Sequence, residues 1–132
     1  MKRLLFTCVA VMIALTDQLS NLFKIQFQRL RPCHNPLING QLRFTRCGGQ
    51  FGYFSAHAAN TFALAMFLGQ VLRPLYPRLL IILLLWAAVV SYSRIYLGVH
   101  YPFDVLTGLC IGLAIGYGMY FFYKKIIVKR VK

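Results

Sequence analysis

A few side chains able to do chemistry stand out in an otherwise apolar chain. Ser93, Arg94, His100 and Asp104 fall in one short stretch, Ser55-Ala56-His57 in a second, and Lys24 and Arg31 in a third. Charged groups near a membrane core are costly unless they have a role, and together these suit phosphoryl transfer. Lys24, Arg31 and Arg94 supply three cations able to hold the equatorial oxygens of a phosphoryl group and to offset charge in its transition state. Arginine does so with two parallel hydrogen bonds. Ser55 reads as a helix N-cap, which leaves the backbone N–H groups of Ala56, His57 and Ala58 as an anion site. His100 and Asp104 are four apart and share a face if the helical turn begins near His100. Asp104 then accepts from one imidazole nitrogen and frees the other as a nucleophile, while His57 protonates the leaving oxygen. Taken singly, each has a plainer reading: His57 as a helix-start histidine, His100 with Asp104 as a polar cap, Arg94 and Lys24 as cations snorkelling to the interface. The chemistry calls for no metal and no cofactor, and two acidic residues in the whole protein make a poor metal cage.

These groups need helices to position them. Hydrophobic residues make up 59% of the 132 residues and charged residues 13%, about half the usual charged share of a soluble domain. This indicates one membrane domain over residues 1–132. The net charge of +13 does not indicate nucleic acid, because the basic residues sit between long apolar runs instead of lining a water-exposed face. Apolar runs predict an all-α integral-membrane bundle of four transmembrane helices, over residues 4–23, 55–72, 79–97 and 101–123, with a polar loop at 24–54. The first run is read as an uncleaved helix; the alternative is a secretory signal peptide, for which no convincing small-residue cleavage site follows. Pro102 suits the first turn of the fourth helix. With four spans, nine of the fifteen lysines and arginines fall on one side and six on the other, so the positive-inside rule places both termini in the cytoplasm. Lys24, Arg31, Ser55, His57, Arg94, His100 and Asp104 then meet at one level, at the outer face of the cytoplasmic membrane.

Lys24-x6-Arg31-Pro32, Phe54-Ser55-Ala56-His57 and Ser93-Arg94-x5-His100-x3-Asp104 together resemble the three-part signature of the type 2 phosphatidic acid phosphatase (PAP2) superfamily. Its usual form is Lys-x6-Arg-Pro, Pro-Ser-Gly-His and Ser-Arg-x5-His-x3-Asp. The first and third parts match at every defined position. The middle part has Phe54 for proline and Ala56 for glycine. The resemblance implies an integral-membrane lipid phosphatase, often a six-helix bundle, working through a phosphohistidine. It implies His100 as nucleophile, Asp104 as its partner, His57 as acid and then base, and Lys24, Arg31, Ser55, Ala56 and Arg94 as the phosphate-binding set. It implies a phosphorylated membrane lipid as substrate: polyprenyl diphosphate, phosphatidylglycerophosphate, phosphatidic acid or a lipid A phosphate. Family members commonly carry two helices before the lysine-bearing one, so the expectation is either a minimal form or a chain lacking an N-terminal part. The alternative to an enzyme is a non-catalytic lipid-phosphate-binding or scaffold protein of the membrane.

Other residues carry weaker signals. Cys33 and Cys47 bracket the polar loop on the oxidising side, where a disulfide and two free thiols are the two readings. Asp17 either orients Lys24 or another cation, or is an interfacial carboxylate. Arg29, Arg43 and Arg46 read as solvated loop charges or headgroup contacts, and His34 as a loop residue. Gly108, Gly112, Gly116 and Gly118 partly follow the small-x3-small spacing of close helix packing.

Overall fold

The structure, a computed structural model, describes residues 1–42 and 47–131, with side chains through residue 129. Arg43, Arg46 and Lys132 lie outside the described residues. Among the described residues, four α-helices follow in order: α1 Lys2–Phe27, α2 Ala56–Val71, α3 Leu79–Tyr96 and α4 Pro102–Val131. Two single 3-10 turns, Pro32–His34 and Asn39–Gln41, shape the long loop. No strand occurs among the described residues; Leu30 and Phe51 form one isolated antiparallel bridge.

The expected α1 is too short at its C-terminal end. The helix continues to Phe27 and stops where Gln28 turns left-handed at φ 45°, its N–H bonding the Lys24 carbonyl at 3.0 Å. Lys24 therefore stands on the last helical turn and not in the loop. The expected α4 is also too short. It runs through Lys124, Lys125 and Lys129 to Val131, since no proline or glycine follows Gly118 and lysine favours helix, most of all near a C-terminus.

α2 is the central helix, in contact with all three others. Ala58, Ala59, Phe62, Ala63, Ala65, Phe67 and Gly69 are buried along it, so it has no distinct apolar stripe. α1, α3 and α4 turn large apolar residues outward, among them Phe6, Leu15, Ile81, Trp86 and Tyr117. These three are long and apolar enough to cross a membrane. α2, with 16 residues, is about 24 Å long, short of a ~30 Å hydrocarbon core. The four expected spans thus become three helices of spanning length around a shorter buried one.

α4 lies against α2 on small residues. A Cβ on Gly108, Gly112 or Gly116 would strike the carbonyl oxygens of Ser55, Ala59 and Ala63 respectively, whereas Gly118 faces open space. Three of the four glycines of the expected packing stripe therefore face α2, and the fourth does not. α1 docks on α2 through Cys8, Met12, Ala63 and Phe67 and through a polar cluster above them. Thr16 donates to the Asn60 side-chain oxygen, and Asn60 Nδ2 donates to Asp17 Oδ1 at 2.9 Å. Asp17 thus crosslinks two helices, which neither sequence reading foresaw.

Cys33 and Cys47 are joined in a disulfide, with Cα atoms 6.0 Å apart. It closes the loop beside Arg31 and Gly48.

Two outcomes follow for stability in detergent. Gly112→Ala should cost about 1–3 kcal/mol by forcing α4 off α2, while Gly118→Ala should gain about 0.5–1 kcal/mol of helix propensity. Equal thermal shifts for the two would contradict the packing described. Cys33→Ser should cost roughly 3 kcal/mol, read as a lower melting temperature that reductant does not lower further; a wild type insensitive to reductant would argue against the bond.

Candidate active site

The turn between α3 and α4 fixes two of the predicted groups. Gly98 sits at φ +68°, its N–H bonding the Ile95 carbonyl at 2.9 Å, while the Val99 N–H reaches the Arg94 carbonyl at 3.2 Å. This pair of bonds is a Schellman motif, whose left-handed position favours glycine. A Cβ on Gly98 would also lie 2.8 Å from Leu42. The His100 N–H then bonds the same Arg94 carbonyl at 3.3 Å. Five residues between Arg94 and His100 are what this turn requires to bring both to one spot.

His100 precedes α4 and does not share a helical face with Asp104. Pro102 takes the first helical position, so Asp104 occupies the third. From there its Oδ2 reaches back to the Tyr101 N–H at 2.8 Å, half of a capping box. His100 Nδ1 lies 3.7 Å from Oδ2, longer than a hydrogen bond, and is buried with no hydrogen-bond partner. Oδ1 is taken by Arg29 Nη1 at 3.1 Å. Arg29 is therefore no free loop charge; it also lies over the Tyr101 ring at 4.6 Å.

The long loop brings in Arg31. Its N–H bonds the Gln50 carbonyl at 3.1 Å, the Gly52 N–H bonds the Arg29 carbonyl at 3.0 Å, and Arg31 Nε donates to the Phe51 carbonyl at 3.2 Å. Gly52 leaves room for the Arg31 stem, and Gly48 faces its guanidinium. The Cys33 N–H bonds the Gly98 carbonyl at 3.1 Å, joining this loop to the α3–α4 turn. Half-burial lowers the Arg31 pKa, and Asp104 opposes that effect.

At the start of α2, Ser55 is the N-cap and its hydroxyl accepts from the Ala58 N–H at 3.3 Å. The Ser55 N–H bonds the Asp104 backbone carbonyl at 3.1 Å. Ser55 is wholly buried and does not line the site. Ala56 and His57 do.

Six of the eight predicted residues share one cavity of about 260 Å³, lined by Lys24, Arg31, Ala56, His57, Arg94 and His100 with Gly48 and Val99. Asp104 and Ser55 stand behind this wall. Among the described residues the lining carries Lys24, Arg31 and Arg94, two imidazoles and no carboxylate. Arg94 Nε is buried without a hydrogen-bond partner. Such a cavity suits a tetrahedral polyanion, and its two histidines stand on separate elements. Gly48 and Val99 were not read as site residues, and Arg29 was read as a solvated loop charge or headgroup contact. The signal for Gly48 was the disulfide, which places position 48 opposite Arg31; for Arg29 it was a cation two residues from a motif arginine. Cys33, His34 and Cys47 also come within 4.8 Å of one another. The two sulfurs are bonded to each other, which leaves His34 alone, its Nε2 3.3 Å from the Gly48 carbonyl.

Comparison with known proteins shows the family. The family model described as the PAP2 superfamily matches residues 5–127. A lipid A 4'-phosphatase of Bacteroides thetaiotaomicron is 43% identical over 129 residues, covering 88% of this chain and 53% of that protein. A lipid A 4'-phosphatase of Porphyromonas gingivalis is 36% identical over 126 residues, covering 90% and 52%. The chain spans about half the length of these curated relatives. A decaprenylphosphoryl-5-phosphoribose phosphatase of Mycobacterium tuberculosis is 37% identical over 67 residues, 51% of this chain and 34% of that one. Among solved structures, the crystal structure of a transmembrane PAP2 type phosphatidylglycerolphosphate phosphatase from Bacillus subtilis superposes with a TM-score of 0.67 at 26% identity, over 92% of this chain and 58% of that chain. With three ordered motifs folded into one cationic cavity and a family match over nearly its whole length, this chain belongs to the PAP2 superfamily.

Proposed function

We propose that this chain forms the phosphate-handling part of a membrane phosphatase that hydrolyses a lipid phosphate or diphosphate through a phosphohistidine on His100. The carrying observation is the cavity itself: every charged group that lines it is cationic, and its two histidines come from separate elements. Phosphate enters with its oxygens toward Lys24, Arg31, Arg94 and the N–H groups that open α2. His100 Nδ1 faces Asp104, so Nε2 is the attacking atom. The Nε2–P bond forms as the P–O bond to the lipid breaks, and His57 gives its proton to the departing oxygen. His57 then takes a proton from water, whose oxygen attacks phosphorus. The N–P bond breaks, inorganic phosphate leaves, and both histidines return to their starting states. The 3.7 Å between His100 and Asp104 closes to a hydrogen bond on substrate binding, as such contacts often tighten only in the complex.

Two observations support a lipid phosphate as the substrate class. An aromatic cleft of about 420 Å³, lined by Phe27, Arg29, Tyr53 and Phe103, suits the apolar body of a lipid. The relatives are named for lipid A 4'-phosphate and for a phosphoribosyl lipid, both phosphates borne on a larger lipid. A lipid A phosphate is therefore the first substrate to try, followed by undecaprenyl diphosphate, phosphatidylglycerophosphate and phosphatidic acid. The disulfide in the active-site loop supports an oxidising location, the outer face of the cytoplasmic membrane.

Phosphate release from this panel tests the reading. Wild type should turn over at least one member, and His100→Ala should be slower by roughly a thousandfold or more. His57→Ala should be slower by about 10²- to 10⁴-fold with little change in KM. Equal release by wild type and His100→Ala would dismiss the mechanism. Lipid binding by wild type without release would favour a binding protein.

A further inference from the structure

Resting on the phosphatase reading, we propose that Arg29 is a positioning residue that acts through Asp104, holding the carboxylate in the one orientation from which it can serve His100. Asp104 is 1% exposed, and a buried carboxylate needs a partner on each oxygen. Oδ1 receives Arg29 Nη1 at 3.1 Å. Oδ2 receives the Tyr101 N–H at 2.8 Å and is the oxygen 3.7 Å from His100 Nδ1. The two donors fix the plane of the carboxylate. Without Arg29, Oδ1 has no donor and the group turns about its last bond to recover one, taking Oδ2 off the imidazole.

Arg29 is itself held. Its guanidinium lies over the Tyr101 ring at 4.6 Å and the Tyr53 ring at 5.9 Å. The Tyr101 hydroxyl in turn receives Asn35 Nδ2 at 3.0 Å, and the Arg29 carbonyl receives the Gly52 N–H. The same tyrosine thus supplies its N–H to one carboxylate oxygen and its ring to the cation on the other. Arg29 is absent from the residues lining the phosphate cavity, so its route to the reacting phosphorus is through Asp104, although it also lines the aromatic cleft with Phe27, Tyr53 and Phe103. A lysine at position 29 could keep the charge but not the planar stacking together with the hydrogen bond.

The test is a double-mutant cycle with the full chain in detergent micelles, using the panel member that wild type turns over. Arg29→Ala should lower kcat on the order of 10- to 100-fold, the loss typical of a misplaced catalytic group, whatever change in KM follows from the aromatic cleft that Arg29 also lines. Arg29→Lys should recover part of the loss, and added guanidinium ion should partly rescue Arg29→Ala. In an Asp104→Asn background, Arg29→Ala should cost nothing further, because the group it positions is already gone. Melting temperatures of all variants show whether each is folded. Multiplying losses in the double variant would overturn the proposal, as would a rise in KM at constant kcat, which would place Arg29 on the substrate. A change in melting temperature with kcat unaltered would also overturn it, leaving a purely structural arginine. A wild type no faster than His100→Ala is the separate failure, that of the phosphatase reading, and removes this proposal with it.

Discussion

The structure around the cavity depends on one buried carboxylate. Asp104 is one of two acidic residues in a chain of net charge +13, and burying an unpaired charge costs several kcal/mol. It is paired on every side. Its side chain joins the long loop, through Arg29, to the start of α4, through the Tyr101 N–H. Its backbone carbonyl receives the Ser55 N–H and so fixes the start of α2. Three segments far apart in sequence meet at this residue, and each brings a wall of the cavity with it.

The bundle supplies the closeness this junction demands. α4 can hold Asp104 against Ser55 only because Gly108, Gly112 and Gly116 let the two backbones approach. The loop is closed on itself by the Cys33–Cys47 disulfide and tied to the same end by the Cys33 N–H on the Gly98 carbonyl. The cations are thereby set in place before any phosphate arrives. On the proposed function, their mutual repulsion is what a phosphate would relieve, and their charge would offset that of the transition state.

Much of this was legible in the sequence because apolar runs mark helices, and because three spaced motifs name the residues that must meet. What escaped the reading has local causes. Lys24 was expected in the loop because nothing in Gln28 announces a left-handed cap; glycine would have. The helical course of α4 past residue 123 was hidden by lysines that resemble a tail. The His100–Asp104 spacing suggested a shared helical face, yet Pro102 starts the helix two residues late and turns the pair into a contact across a cap. Ser55 was read as the N-cap of α2, which it is, and through the resemblance also as a phosphate ligand, whereas its side chain is buried behind the cavity wall. Arg29 and the Thr16–Asn60–Asp17 cluster depend on contacts between distant segments, which no periodicity reveals.

The central claim is that phosphorus passes through a covalent bond to His100. The most direct measurement is rapid acid-free quenching of the protein during turnover of a phosphorus-labelled lipid phosphate, followed by peptide mapping. The account predicts label on the peptide containing His100, stable in base and lost in mild acid, and absent from His100→Ala. Steady turnover with no protein-bound label, or with label on another residue, would contradict it.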